Sequence, residues 1–279
     1  MNKITIMAAL LAGTFAGQVQ VQAQSLEGDV SLSFGNAPFM STDDDDERIS
    51  ERGYRLSGWA GTSFGDWRVF ADVNVFKRDI GDNDFDSYAP AGARSMGLHF
   101  GRNFGTAYAG VFLGRNQFQS DDTPSGNDYV GGNVRGIEGQ YVFENATLFA
   151  QYGDAEMIGD LGDNEFNGRF MRFGTSVTMN QLTVTADFER GKSPDVFEDG
   201  GDWGEYRSFG ITADYQVTER VIATASFESM TITANSEDNG VDDFFALGIR
   251  IPLGENAKRN NLTTSYRPGL AAAWASNLD

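Results

Sequence analysis

The 279-residue chain has no cysteine and a single histidine, and each scarcity argues against a class of protein. Without cysteine, neither a disulfide framework nor a lipid-modified cysteine is possible, so stability has to come from backbone pairing and packing. The lone histidine, His99, stands in no Gly-x-Ser-x-Gly or His-Glu-x-x-His motif, and we therefore expect no enzymatic activity. The net charge of −19 argues against a nucleic acid partner, because such binding requires clustered lysine and arginine.

Long apolar runs are also missing after the first residues. Lys3 precedes an apolar run over residues 4–16, and Val21-Gln22-Ala23 completes a small-x-small cleavage pattern. The run of about 13 residues is typical of an export signal and falls short of the roughly 20 that a membrane-spanning helix needs. We interpret residues 1–23 as a secretory signal peptide.

The rest of the chain alternates apolar and polar residues. In the segment over residues 182–189, for example, every second residue is apolar and the others are threonine or acidic. Since alternate side chains of a strand point to opposite faces, each such segment predicts a strand with one apolar and one polar side. Twelve segments fit, near residues 26–36, 51–63, 66–77, 94–103, 106–114, 133–143, 146–153, 167–179, 182–190, 204–216, 219–231 and 242–253.

The connections between these segments are alternately long and short. Tight turns are predicted at residues 64–66, 103–105, 144–145, 180–181 and 217–218, and long segments rich in acidic residues separate them. A soluble β-sandwich also has alternating strands, but this strict order of connections favours a closed barrel with short periplasmic turns and long extracellular loops. We therefore expect an all-β, closed, antiparallel up-and-down transmembrane β-barrel of about 12 strands over residues 24–254.

With these features the chain resembles the porin-like outer-membrane β-barrels of Gram-negative bacteria. The resemblance covers about residues 24–253 and includes the first-strand stretch Leu26–Phe34 and a last strand ending in Gly248-Ile-Arg-Ile-Pro-Leu253, similar to the signal that barrel-assembly machinery recognises. It implies a place in the cell outer membrane and contacts with lipid, lipopolysaccharide and that machinery. Family members commonly stop at an aromatic residue, whereas here about 25 residues follow.

The polar faces predict a charged lumen. Because charge inside a barrel must be hydrated or paired, either water fills the lumen or ion pairs close it. Twelve strands leave a narrow channel at most. The candidate pore-lining residues are Arg55, Arg68, Asp72, Glu138, Arg172, Asp187, Glu189, Asp214, Arg220, Glu228 and Arg250.

Two functions follow from these two states of the lumen. A hydrated lumen predicts a porin-like channel that passes small hydrophilic solutes by passive diffusion, with an arginine ladder facing acids across a constriction. A closed lumen predicts a structural or surface-interaction barrel. We expect no organic cofactor, although the acidic loops near Asp43–Glu47 and Asp82–Asp86 offer weak calcium-binding patterns.

The segment after the last predicted strand, residues 255–279, has two possible places. It carries Lys258, Arg259 and Arg267, a Pro268-Gly269 breaker and a run of small residues. It could trail in the periplasm or fold into the lumen as a plug that pairs its cations with the inward acids. Because chain termini are usually disordered unless tied down, the sequence alone favours the periplasmic position. The sequence does not specify an oligomeric state.

Overall fold

The computed structural model is a closed barrel of twelve antiparallel strands with one short helix. It describes residues 26–41, 48–79, 92–119, 129–158, 166–193, 204–234, 237–254 and 259–275. The predicted signal peptide and most of the acidic loop residues, including Asp43–Glu47 and Asp82–Asp86, lie outside these ranges. The strands are β1 (Glu27–Ser41), β2 (Arg48–Phe64), β3 (Trp67–Asp79), β4 (Gly92–Phe104), β5 (Ala107–Gln119), β6 (Tyr129–Val142), β7 (Ala146–Ile158), β8 (Phe166–Met179), β9 (Leu182–Ser193), β10 (Gly204–Thr218), β11 (Val221–Ala234) and β12 (Glu237–Leu253).

The barrel closes between its first and last strands. β1 pairs with β12 from Gly28 opposite Leu253 to Ser41 opposite Gly240, and every other strand pairs with its neighbours in the chain. Closure satisfies the backbone hydrogen bonds of both edge strands, as a barrel in a bilayer requires. The predicted twelve-stranded up-and-down barrel is confirmed.

Short turns join the strands at one end of the barrel, which we call the turn end, and the other end is the loop end. Gly65, Gly105 and Asn180 adopt positive φ angles of 61°, 68° and 55° in three of these turns, a conformation that glycine and asparagine accept at little cost. The fifth turn lies at Glu219–Arg220, two residues beyond the predicted position, because β10 continues to Thr218 through an irregularity in its pairing with β11.

The two faces of the barrel have opposite character. Outward-facing residues are apolar along the middle of the strands, and aromatic side chains such as Tyr54, Trp67 and Tyr215 are exposed on this face. Phe64 and Phe104 add to the aromatic residues at the turn end. An exposed apolar surface of this extent suits contact with acyl chains and interfacial lipid.

The inward face carries charged residues together with buried aromatic rings. Among the buried aromatic rings on this face are those of Trp59, Phe70, Phe112, Phe149, Phe170 and Phe244. Residues 259–275 run through the interior and end in helix α1 (Arg267–Ala275). No helix in the described ranges is long and apolar enough to cross a membrane.

Candidate functional site in the barrel lumen

The strands place ten of the eleven predicted pore-lining residues on the inward face. Six of these are buried, namely Asp72, Glu138, Glu189, Asp214, Glu228 and Arg250, and four are half-buried, namely Arg55, Arg68, Arg172 and Asp187. Alternation along each strand brings them together, since every second side chain enters the lumen. Arg220 is the exception and corrects the prediction: it lies exposed in the turn between β10 and β11, because β11 begins only at Val221.

The inward arginines do not form the predicted ladder facing acids across an open constriction. Each of three is tied to a carboxylate: Arg55 to Glu228 at 3.1 Å, Arg172 to Asp187 at 3.1 Å and Arg250 to Asp29 at 3.2 Å. Arg68 instead lies over aromatic rings, including that of Phe70 at 4.8 Å from the ring centre. Arg172–Asp187 and Arg250–Asp29 join neighbouring strands, whereas Arg55 of β2 reaches Glu228 of β11 past the two strands between them.

A segment of the chain itself occupies the space between these walls. We call residues 259–275 the lumen segment. After β12 ends at the turn end, the chain re-enters the barrel, and Arg259 binds Asp214 with nitrogen–oxygen distances of 3.0 and 3.2 Å. The sequence favoured a periplasmic position for the tail. For residues 259–275 this prediction is wrong, because they lie inside the barrel. Their charges and apolar side chains find partners inside the barrel, and this outweighs the tendency of a terminus to stay unordered.

Just above Arg259, the lumen segment packs on apolar rings. Leu262 is fully buried among Trp59, Phe70, Tyr108 and Phe149. These rings project into the lumen from β2, β3, β5 and β7. Burial of a leucine side chain is worth about 1.5–3 kcal/mol, so this contact fixes the lower half of the segment without any charge.

A buried polar centre follows, built around the histidine. His99 lies between Asp72, at 2.6 Å from Nε2, and Glu138, at 2.8 Å from Nδ1. The hydroxyl of Thr264 lies 3.2 Å from Nε2 and donates to Asp72 at 3.1 Å, while the backbone nitrogen of Thr264 donates to the other oxygen of Asp72. An imidazolium that donates from both ring nitrogens satisfies both carboxylates.

The wall makes room for Thr264 at a glycine. A β-carbon added at Gly97 on β4 would lie only 1.8 Å from the hydroxyl oxygen of Thr264 and 2.9 Å from Asp72. Two further wall side chains, Asn74 and Ser95, donate hydrogen bonds to the backbone oxygen of Thr264. The lumen is therefore shaped to the segment and does not merely contain it.

Arg267 at the start of α1 makes the densest set of ion pairs. Its guanidinium contacts Asp187 at 2.7 Å, Glu189 at 3.0 Å and Glu228 at 3.2 Å. These carboxylates come from β9 and β11. Charge-assisted hydrogen bonds of this kind are roughly twice as strong as neutral ones.

The two residues before Arg267 reinforce the same contact. The hydroxyl of Ser265 donates to Glu189 at 2.7 Å, and that of Tyr266 donates to Glu228 at 2.6 Å. Tyr266 also accepts a hydrogen bond from Arg55. Three consecutive residues of the lumen segment are therefore bound to carboxylates of the barrel wall.

Helix α1 lies against β4, β5, β7, β8 and β10. Leu270 and Ala271 are buried with the rings of Phe112 and Phe170. Beside the helix, Asn116 of β5 is fully buried, and neither polar atom of its side chain has a hydrogen-bond partner among the described residues. Apart from the position of Asn116, these contacts between the helix and the wall are apolar.

The described part of the chain offers no metal centre: no group of three or more His, Asp or Glu side chains within it could hold an ion. The calcium patterns considered for the loops fall outside the described ranges. Carboxylates of the wall are concentrated around Arg259 and Arg267. The inner face of the barrel can therefore bind cations and hydrogen-bond donors.

These residues of the lumen segment were not among the predicted site residues. Arg259, Thr264 and Arg267 contact the wall only because the chain turns back after β12. The aromatic residues on the polar faces of the strands could have indicated that the lumen is occupied. Apolar rings that face a lumen are more stable when another apolar group covers them.

The closed barrel with its apolar outer face defines an outer-membrane β-barrel. A protein-family model described as Gram-negative porin matches residues 82–235, more than half of the chain. The chain therefore belongs to the Gram-negative porin family and lies in the cell outer membrane. No curated protein sequence matches it.

Solved structures with a similar barrel were also found. One is a loop-deletion mutant of OmpT, an outer membrane protein of Vibrio cholerae, with 11% identity and a TM-score of 0.46, covering 83% of this chain and 100% of that one. Another is an anion-selective porin from Comamonas acidovorans, with 10% identity and a TM-score of 0.42, covering 82% and 99%. The toluene transporter TodX of P. putida has 12% identity and a TM-score of 0.39, covering 84% and 91%. The family assignment does not depend on these likenesses.

Proposed function

We propose that the protein is a passive channel for small hydrophilic solutes and that its lumen segment restricts the passage. The observation that carries this proposal is the binding of Arg259, Thr264 and Arg267 to carboxylates of the wall. The segment fills the space that a solute has to cross. Solutes pass when it moves aside or loosens, and the charged inner face then lines a narrow aqueous path.

The wall is suited to such movement because it keeps partners of its own. Asp187 retains Arg172 and Glu228 retains Arg55 when Arg267 leaves, and Glu189 retains the hydroxyl of Tyr206 at 2.8 Å. Water that enters the lumen can solvate what remains. Displacing the segment therefore does not leave these carboxylates without any partner, a situation that would otherwise be prohibitive.

A disulfide lock tests the proposal. A β-carbon added at Gly269 would lie 3.7 Å from that of Asn116, within the 3.5–4.5 Å range typical of disulfides. Since the chain has no cysteine, the double variant N116C/G269C contains a single possible disulfide. In planar bilayers we expect the oxidised protein to stay closed and the reduced protein to open in steps.

Two controls define the outcome. The single variants N116C and G269C should conduct alike with and without reductant. Equal conductance of the oxidised and reduced double variant would show that solutes do not need the segment to move. Silence under every condition, with the protein folded, would favour a second candidate, a closed structural barrel, which the ion pairs of Arg259 and Arg267 also support.

We propose no catalytic role. Glu138, His99 and Thr264 stand in an order that resembles a hydrolase triad, but Asp72 also occupies the Nε2 side of His99, and the imidazole is fully buried. A ring held between two carboxylates is not available to take the proton of the hydroxyl. Cleavage of a lipid or peptide by the purified protein that disappears in His99→Ala would contradict this view.

A further inference from the structure

The part of the wall that receives Arg267 is recessed. Asp187, Gly210 and Glu228 stand in one row across β9, β10 and β11, because Gly210 lies directly opposite both acidic residues. Neighbouring strands are about 4.8 Å apart, so the glycine leaves a gap between two carboxylates. We call Asp187, Glu189, Gly210 and Glu228 the acidic recess.

The recess fits a planar cation. Nη1 of Arg267 contacts Asp187 at 2.7 Å and Glu189 at 3.0 Å, and Nε contacts Glu228 at 3.2 Å. A β-carbon added at Gly210 would lie 3.1 Å from Nη2 of Arg267 and 2.8 Å from Asp187 Oδ1. The carboxylates therefore receive two of the guanidinium nitrogens, and the glycine leaves space for the third. This planar fork distinguishes a guanidinium from a compact ammonium group.

The charges of the wall leave a place for one cation in the recess. Asp187 is paired with Arg172 and Glu228 with Arg55, both of which belong to the wall. Glu189 receives its cation from the lumen segment. When the segment leaves, three carboxylates face two wall arginines, and a single monovalent cation from solution can replace the lost charge.

A buried hydroxyl beside the recess is not used by the lumen segment. Ser208 lies two residues before Gly210 on the same face of β10, directly opposite Glu189. Its side chain is only 2% exposed, and its oxygen has no hydrogen-bond partner among the described residues. A buried hydroxyl without a partner is unfavourable. A free guanidinium ion presents more donors than the tethered side chain and can supply one to this oxygen.

From these observations we infer that the acidic recess binds the guanidinium group of solutes and that Arg267 is its tethered occupant. The solutes that the channel selects are then small guanidinium-bearing cations such as free arginine, which compete with Arg267 and displace the segment as they enter. A group tethered by a short flexible linker has an effective concentration in about the millimolar range, so competing solutes must reach such concentrations. This substrate class rests on the proposed channel function, whereas the binding site does not.

The test measures binding of ethylguanidinium to the full-length Arg267→Ala barrel in neutral detergent, by calorimetry at constant ionic strength. Ethylguanidinium has the same heavy atoms as the part of the side chain that the substitution removes. We expect one ion per barrel, with an affinity about tenfold higher than that of ethylammonium, which has the same charge but no fork. The original protein should bind ethylguanidinium more weakly than the variant, because Arg267 occupies its recess.

Gly210→Ala, added to Arg267→Ala, fills the recess and keeps every charge. It should lower the affinity for ethylguanidinium more than the affinity for ethylammonium. Gly139→Ala on the same background is the matched control, since its β-carbon would meet only the backbone oxygen of Tyr108, at 3.4 Å, and it should bind like its parent. Equal affinities for the two ions would overturn the inference, as would unchanged binding in Gly210→Ala.

The original protein provides a second measurement that needs no substitution in the recess. Millimolar ethylguanidinium should accelerate cleavage by chymotrypsin after Tyr266, because it displaces Arg267, and ethylammonium should not. Chymotrypsin is suitable because its apolar specificity pocket does not select cations as that of trypsin does. Equal cleavage with both ions would overturn the inference even in a conducting channel. Selective binding by a folded barrel that never conducts would instead contradict the proposed channel and leave the guanidinium site in place.

Discussion

Replacement of Arg267 by alanine should release the lumen segment. The substitution removes contacts to Asp187, Glu189 and Glu228, whose side chains are only 12%, 0% and 11% exposed. Breaking a buried ion pair by removing one partner costs about 3–5 kcal/mol. We take the lower end, about 3 kcal/mol, because these carboxylates keep other partners on the wall. This energy corresponds to a shift of about 150-fold in the equilibrium between the docked and displaced segment.

Single-channel recording in planar bilayers measures this shift as the ratio of open to closed time. Arg267→Lys is the matched control: it keeps the charge but loses the planar fork, so it should lie between the original protein and Arg267→Ala. Trypsin digestion in detergent provides a second measurement, since a displaced segment exposes the bond after Arg259. A folded Arg267→Ala barrel that stays closed and protects this bond would refute the reasoning.

The other predictions concern the wall and the charge of the pathway. Gly97→Val should displace the segment and raise conductance, because even its β-carbon would lie 1.8 Å from the hydroxyl oxygen of Thr264; unchanged gating would contradict this. Arg172→Ala should lower the open probability, because Asp187 would lose its wall partner, depend on Arg267 and be left as an unpaired charge when the segment moves, whereas Arg220→Ala, an exposed turn residue, should leave recordings unchanged. The channel opened by Arg267→Ala should prefer potassium to chloride, measured as a reversal potential in a salt gradient; chloride preference would contradict it.

The barrel could be predicted from local patterns. The alternation over residues 182–189 follows from one face of β9 being apolar, and a turn such as Gly65-Asp66 is recognisable from its own residues. Strand ends were less certain. β10 continues to Thr218 through a pairing irregularity. Arg220 therefore lies in the turn and not, as predicted, on the inward face of a strand.

The lumen segment could not be predicted in the same way because its contacts are not local. Residues 259–275 have no periodic pattern that predicts their partners. Thr264 meets Asp72 across 192 positions of the chain, and Arg267 meets Asp187 across 80. Pairing of this kind depends on where β12 ends and which space is left inside the barrel. The sequence identified the cations and the acids but not which of them meet.

The charges of the lumen explain why this segment and this barrel belong together. Among the strand residues whose side chains the structure describes, the inward carboxylates are Glu27, Asp29, Asp72, Glu138, Asp187, Glu189, Asp214 and Glu228. The inward cations among the same residues are Arg55, Arg68, Arg78, Arg172 and Arg250. Arg259 and Arg267 add two positive charges to this predominantly acidic set. Because a low-dielectric interior penalises unbalanced charge, the docked segment stabilises the closed lumen, and its departure leaves a path with excess negative charge that attracts cations.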